Sequence, residues 1–134
     1  GITSFAFSLD SFSFQNLRTA NFFAQKIVEA YIDDPFAEPT LLNINIPSVK
    51  LTQVKGIVSC RPGSRAASKP AVATTSPKGE KVYWVGASGD FYDIGDGTDF
   101  KALSENMVSV TNLSTGMYKT KSAEKIESWV QKIK

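Results

Sequence analysis

The sequence predicts an α/β domain with an appended β-arm, and three patterns point to it. Apolar or alternating runs at Ile2–Asp10, Leu41–Pro47 and Met107–Leu113 have the character of strands. Apolar residues three or four apart over 16–32, and again near the C-terminus, have helical spacing. A Pro- and Gly-containing turn at 76–79 joins a small polar segment to an aromatic one, as in a hairpin. The 134 residues predict one domain, and a chain of that size buries roughly two-thirds of its unfolded surface.

The elements follow in order. Ile2–Asp10 carries Ile2, Phe5, Phe7 and Leu9 with Ala6 between them, which reads as apolar on both faces. That pattern predicts an inner strand of a parallel sheet. An inner strand needs neighbours on both edges, so the expectation is that further strands precede Gly1. Over 16–32, Leu17, Ala20, Ala24, Ile27, Val28 and Tyr31 form the apolar side of a helix. Pro35 ends it at Asp34, because the residue before a proline is biased away from helical geometry.

Leu42, Ile44 and Ile46 alternate with Asn43 and Asn45, a half-buried strand that stops at Pro47. KGIVSCR (55–61) is a further short strand. Ala71–Thr75 and Lys81–Val85 form the hairpin, with SPKG (76–79) as its turn, and GDFYDIGDG reads as a loop. An arm that finds no cover in its own domain pairs with another subunit. Thr98 is the expected N-cap of a helix over TDFKALSEN, with Asp99 in its first turn. Ser122 is the expected cap of a final helix whose stripe is Ile126, Trp129, Val130 and Ile133.

Composition excludes more than it suggests. The chain has no His, which removes Ser-His-Asp and Cys-His nucleophile systems and His-ligated metals. The lone Cys60 cannot form an intramolecular disulfide. A net charge of +2 without a Lys/Arg run predicts no duplex nucleic acid as partner. No apolar stretch reaches membrane-spanning length, and GITSFAFSLD lacks the basic start of a signal peptide, so a cytoplasmic location is expected.

The remaining candidates for chemistry are few. Asp33-Asp34 could hold a divalent cation, but its place before Pro35 favours a solvated helix end. DFYDIGDGTD (90–99) holds four carboxylates, yet counted from Asp93 the third position is Gly95 and the EF-hand pattern fails. A turn followed by an N-cap is the favoured reading, with a calcium loop as the alternative. Arg61, Arg65 and Lys69 are spaced to hold an anion such as phosphate, or simply to solubilise a loop. Cys60 reads as a small core residue, and Trp129 as core. Tyr83 and Trp84 could stack on a base, but packing within the hairpin or against a second subunit is the favoured reading.

The order of segments then becomes informative. GITSFAFSLDS, FFAQKIVEAY, PTLLNINIP, KGIVSCRPGSR, a hairpin ending YWVGA and GTDFKALSENMVSVTNL together resemble the SurE family of survival-protein nucleotidases. The resemblance runs over essentially the whole chain. It implies that residues 1–134 are the C-terminal portion of one α/β domain, part of a Rossmann-like three-layer sheet. About 62–90 would be a hairpin and oligomerisation arm, and 115–134 a C-terminal tail helix. The family's activity is hydrolysis of nucleoside 5′/3′-monophosphates with a divalent ion, Mn²⁺ or Mg²⁺.

The family's Asn-Asp-Asp-Gly, Ser-Gly-Ile-Asn and Ser-Gly-Thr segments do not occur in these residues. The resemblance places them before Gly1, so the catalytic and metal-binding residues are expected upstream and this segment alone is expected to be inactive. Arg61, Arg65, Ser68 and Thr98 are the substrate-lining candidates. Nucleoside monophosphates are the implied ligands, and a dimer or tetramer through the hairpin and last helix is the implied assembly. Two departures stand out: Ala66-Ala67 where the family often has His-Tyr after Arg, and Asn112-Leu113-Ser114 where a His often follows Pro-Leu. A non-catalytic assembly module is the alternative reading.

Overall fold

The structure, a computed structural model, describes every residue except Phe14, Thr115, 117–122, Lys132 and Lys134. It is a mixed α/β fold. Strands β1 (Ser4–Asp10), β2 (Leu41–Pro47), β3 (Gly56–Cys60) and β8 (Met107–Leu113) form one sheet in the order β1-β2-β8-β3. β1 and β2 are parallel, β8 runs antiparallel to β2, and β3 is parallel to β8. Helix α1 (Leu17–Asp33) connects β1 to β2, and helix α2 (Asp99–Ser104) leads into β8.

Register explains the two faces of the sheet. Phe5, Phe7 and Leu9 pair with Leu42, Ile44 and Ile46, and Ile44 pairs with Val110. Paired positions share a face, so these apolar residues all point the same way. Phe23 of α1 closes over them, forming a core with Leu42, Ile44, Ile46 and Val108. The helix buries Thr19 and Phe23 rather than Leu17 and Val28, which are exposed. Ala20 and Ile27 of the expected stripe pack against this core and Ala24 and Tyr31 are half-buried, so the expected apolar side holds except at Leu17 and Val28. Thr19 Oγ1 donates to the Val49 carbonyl at 2.8 Å, which fixes the helix on the sheet.

The opposite face is polar. It carries Ser4, Ala6, Ser8 and Asp10 of β1, Asn43 and Asn45 of β2, and Ser109 and Thr111 of β8. β1 is thus apolar on one face only, which corrects the two-sided reading. Ile2 and Ala6 lie off the Phe5–Phe7–Leu9 parity and add nothing to the apolar face. β1 does pair in parallel with β2, but among the described residues it stands at the sheet edge. Phe100 and Leu103 of α2 lie beside Ser8 and Asn45 on this polar face. Helices therefore cover both faces, giving three layers.

The arm is longer than a simple hairpin. β5 (Val72–Thr75) and β6 (Lys81–Trp84) pair from Val72↔Trp84 to Thr75↔Lys81, and Gly79 N–H donates to the Ser76 carbonyl in the turn. The ladder continues through Lys69 N–H to the Ala87 carbonyl and Ala66 N–H to the Asp90 carbonyl. It ends in β4 (Ser64–Arg65) paired with β7 (Phe91–Asp93). The segment GDFYDIGDG therefore holds a strand where a loop was expected. A Cβ on Gly89 would collide with the Ala66 carbonyl, so this close ladder requires glycine there.

Helix α3 (Ala123–Gln131) is present, while its expected cap, Ser122, lies outside the described residues. Trp129 is 59% exposed and Ile126, Val130 and Ile133 are exposed beside it, which corrects the reading of Trp129 as core. Amphipathic spacing identifies a sticky face but not whether the same chain covers it. Cys60 is half-buried rather than a core residue, since β3 is the other edge of the sheet. Among the described residues no helix is long and apolar enough to cross a membrane.

Candidate functional site

The carboxyl end of β1 opens into a cavity of about 440 Å³. Asp10 stands on one side, and Arg65, Phe91, Ile94, Phe100 and Leu103 form much of the rest. A second cavity of about 350 Å³ shares Asp10, Phe100 and Leu103, and extends over the polar face to Ser8 and Asn45. Strand carboxyl ends are where open α/β sheets bind their ligands. The first cavity also has the character of a small-molecule site, mostly apolar with a few polar groups.

Arg65 is held in place by its surroundings. Its guanidinium carbon lies 4.3 Å from the Phe91 ring centroid and 5.2 Å from that of Phe100. The two rings meet edge-on with centroids 4.6 Å apart. Arg65 Nη1 donates to the Gly89 carbonyl at 3.3 Å, and its other N–H groups have no acceptor among the described residues. A planar cation stacked on aromatic rings keeps its orientation and its donor edge. Such an edge can take an anionic oxygen without first paying the entropy of ordering.

Arg61 belongs to a different arrangement. It forms a forked ion pair with Asp93, Nη2 donating to Oδ1 at 3.2 Å and Nη1 to Oδ2. Its main chain is tied to the next segment as well: Arg61 N–H donates to the Gly97 carbonyl, and Asp99 N–H to the Arg61 carbonyl. The hydrogen bond from Arg61 holds the Asp93 carboxyl below the usual range, and the same bond raises the Arg61 guanidinium. Both groups are solvent-exposed.

Thr98 is fully buried. Its hydroxyl donates to the Gly95 carbonyl at 2.7 Å and accepts from Lys101 N–H at 3.2 Å. It is the N-cap of α2 that the sequence predicts. The same bonds correct its reading as a substrate-lining residue, because its hydroxyl is already engaged and lies beneath the helix. Ser68 is exposed in the arm and lines none of the cavities described above. The structure therefore places Arg65 on the cavity, Arg61 at the base of the arm, Thr98 under α2 and Ser68 apart.

Two of the four acids of the 90–99 segment, Asp93 and Asp99, are occupied within the chain. Asp93 holds Arg61 and accepts Gly95 N–H, while Asp99 Oδ1 accepts Gly63 N–H at 2.8 Å and Phe100 N–H at 2.9 Å. Asp33 ends α1, and Asp34 N–H donates back to the Ala30 carbonyl. Among the described residues no three Asp, Glu, Cys or His side chains gather to hold a metal ion. The described residues therefore do not fit a metal centre.

Asp10, Phe91 and Phe100 are the residues that the sequence reading missed. The signal for Asp10 was its position: an acid closing an apolar strand, SFAFSLD, stands at the strand's carboxyl end. Nothing in spacing could bring Phe91 and Phe100 to Arg65, because the β4–β7 ladder does so.

Fold and cavity define an α/β sheet protein with an open cleft at the end of a parallel strand. The family model described as "Survival protein SurE" matches residues 1–69, and the chain belongs to the SurE family. A relative from Methylobacillus flagellatus, named 5′-nucleotidase SurE, is 40% identical over 97% of this chain and 53% of its own length. One of the same name from Laribacter hongkongensis is 41% identical with the same coverage. The crystal structure of the SurE protein from Aquifex aeolicus matches with a TM-score of 0.73 at 30% identity, over 96% of this chain and 52% of that one. The chain spans about half the length of these relatives.

Proposed function

We propose that this chain forms one wall of a phosphomonoesterase that hydrolyses nucleoside 5′- and 3′-monophosphates to nucleoside and phosphate. The observation that carries this reading is the 40% identity over 97% of the chain to a relative named 5′-nucleotidase. The cavity at the end of β1 supports it, with Arg65 presenting donors suited to an anionic oxygen. The reaction's divalent ion, Mn²⁺ or Mg²⁺, is held outside residues 1–134, as are the groups that attack phosphorus. Arg65 contributes anion binding, Arg61 sets the base of the arm, and Thr98 positions α2. The segment alone is inactive.

The same reading includes a cytoplasmic homo-oligomer, dimer or tetramer. Val72, Tyr83, Trp84 and Val85 of the arm and the α3 stripe are exposed and apolar, as surfaces awaiting a partner subunit are.

The test joins this chain to the upstream half of the Methylobacillus flagellatus relative and measures phosphate release from 5′- and 3′-monophosphates, with Mn²⁺ and with EDTA. The expected result is turnover on both, abolished by EDTA. Turnover that survives EDTA, or activity on one isomer only, overturns the corresponding part of the reading.

A further inference from the structure

We propose that Asp10 is a specificity residue that reads the ribose diol of a nucleoside 5′-monophosphate seated in the 440 Å³ cavity. The proposal rests on the nucleotidase reading for its ligand class and adds the ligand's orientation. Asp10 lines both cavities at the carboxyl end of β1, and its carboxylate has no hydrogen-bond partner among the described residues. The rest of the lining is apolar at Phe91, Ile94, Phe100 and Leu103 and polar at Lys101 and Ser104, and Arg65 is stacked on the two phenylalanine rings.

Charge decides the orientation. A phosphate monoester carries close to two negative charges at neutral pH, so its phosphoryl group is repelled by Asp10 and attracted by Arg65 and by Lys101, whose ammonium also pairs with Glu105. A carboxylate accepts hydrogen bonds only, and the vicinal hydroxyls of ribose are the pair of donors that every ribonucleoside 5′-monophosphate shares, whatever its base. The base then lies along the apolar wall, where stacking or edge contact with Phe100 tolerates any base. The cavity volume falls within the range of about 300–1,000 Å³ usual for small-molecule sites.

Titration calorimetry of the purified chain with adenosine 5′-monophosphate and with 2′,3′-dideoxyadenosine 5′-monophosphate reads the proposal directly. The expected result is binding of the ribonucleotide about tenfold tighter, since a hydrogen bond to a charged group is lost with the diol. Asp10→Asn, with its fold checked by circular dichroism, erases that ratio. Phe100→Leu weakens both ligands and leaves the ratio intact. Equal affinities in the wild-type chain, an unchanged ratio in Asp10→Asn, or no binding of the ribonucleotide overturns the proposal. Phosphate release by the joined protein is a separate readout, so failure here is distinct from failure of the nucleotidase reading.

Discussion

Arg61 and Asp93 are 32 residues apart and meet in a forked ion pair that ties the end of β3 to β7. The pair sets the base of the arm against the turn that leads into α2. Arg61 carries that turn directly, through its main-chain bonds to Gly97 and Asp99. Loss of the pair therefore loosens the arm more than it destabilises the sheet.

Asp93→Asn is expected to leave the main melting transition nearly unchanged, because exposed ion pairs contribute little to stability. It should quicken proteolytic cleavage within 62–93, read by limited proteolysis and mass spectrometry. The pH dependence has a definite sign. The Asp93 carboxyl is lowered by its bond to Arg61, so its contribution is present above the ordinary Asp value and lost as pH falls through the lowered one. The cleavage difference between wild type and variant should shrink on acidification below about pH 4. Cleavage rates that stay different in acid contradict the role given to the pair.

Thr98 offers a sharper stability test. Thr98→Ala removes the cap of α2 and its bond to the Gly95 carbonyl, with an expected loss of about 1–2 kcal/mol in urea unfolding. Thr98→Ser keeps the hydroxyl and should recover most of it. Equal losses in the two variants would mean that the methyl group, not the cap, holds the position.

The two faces of the sheet should respond oppositely. Ile44 is fully buried, and Ile44→Ala is expected to cost about 2–5 kcal/mol. Ser109 Oγ and Thr111 Oγ1 are buried without a hydrogen-bond partner among the described residues. Removing an unsatisfied hydroxyl while keeping shape is neutral or stabilising, so Thr111→Val should not lower the melting temperature. A clear loss there would show that these hydroxyls are satisfied in the protein.

Much of this fold was legible before any coordinates. Alternation located β2 and β8, Pro35 marked the end of α1, and Thr98 with Asp99 marked the start of α2. These are local effects, set by neighbours a few residues away. What was not legible depends on distant pairing. β4 and β7 are each too short to show a period, and only their mutual ladder makes them strands. The exposure of Trp129 and the edge position of Cys60 depend on which surfaces meet, which helical or strand spacing does not encode. The cavity followed the same rule: Arg65 was visible as a cation, whereas Asp10 became a wall residue only once β1 was placed beside α2.

Cys60 provides a chemical check. Burial, reinforced by the nearby charge of Asp99, pushes its thiol up from the ordinary value. Alkylation by iodoacetamide at pH 8 should be slower than for a free cysteine and rise to match it in denaturant. Faster reaction in the folded chain would mark Cys60 as an activated thiol instead.

The central claim is that this chain supplies a binding wall while the metal-dependent chemistry lies outside it. Phosphate release from adenosine 5′-monophosphate with Mn²⁺ tests it most directly, comparing the purified chain alone with the chain joined to the upstream half of the Methylobacillus flagellatus relative. The account predicts no turnover from the chain alone and turnover from the joined protein, reduced by Arg65→Ala. Metal-dependent turnover by the 134 residues alone would contradict it.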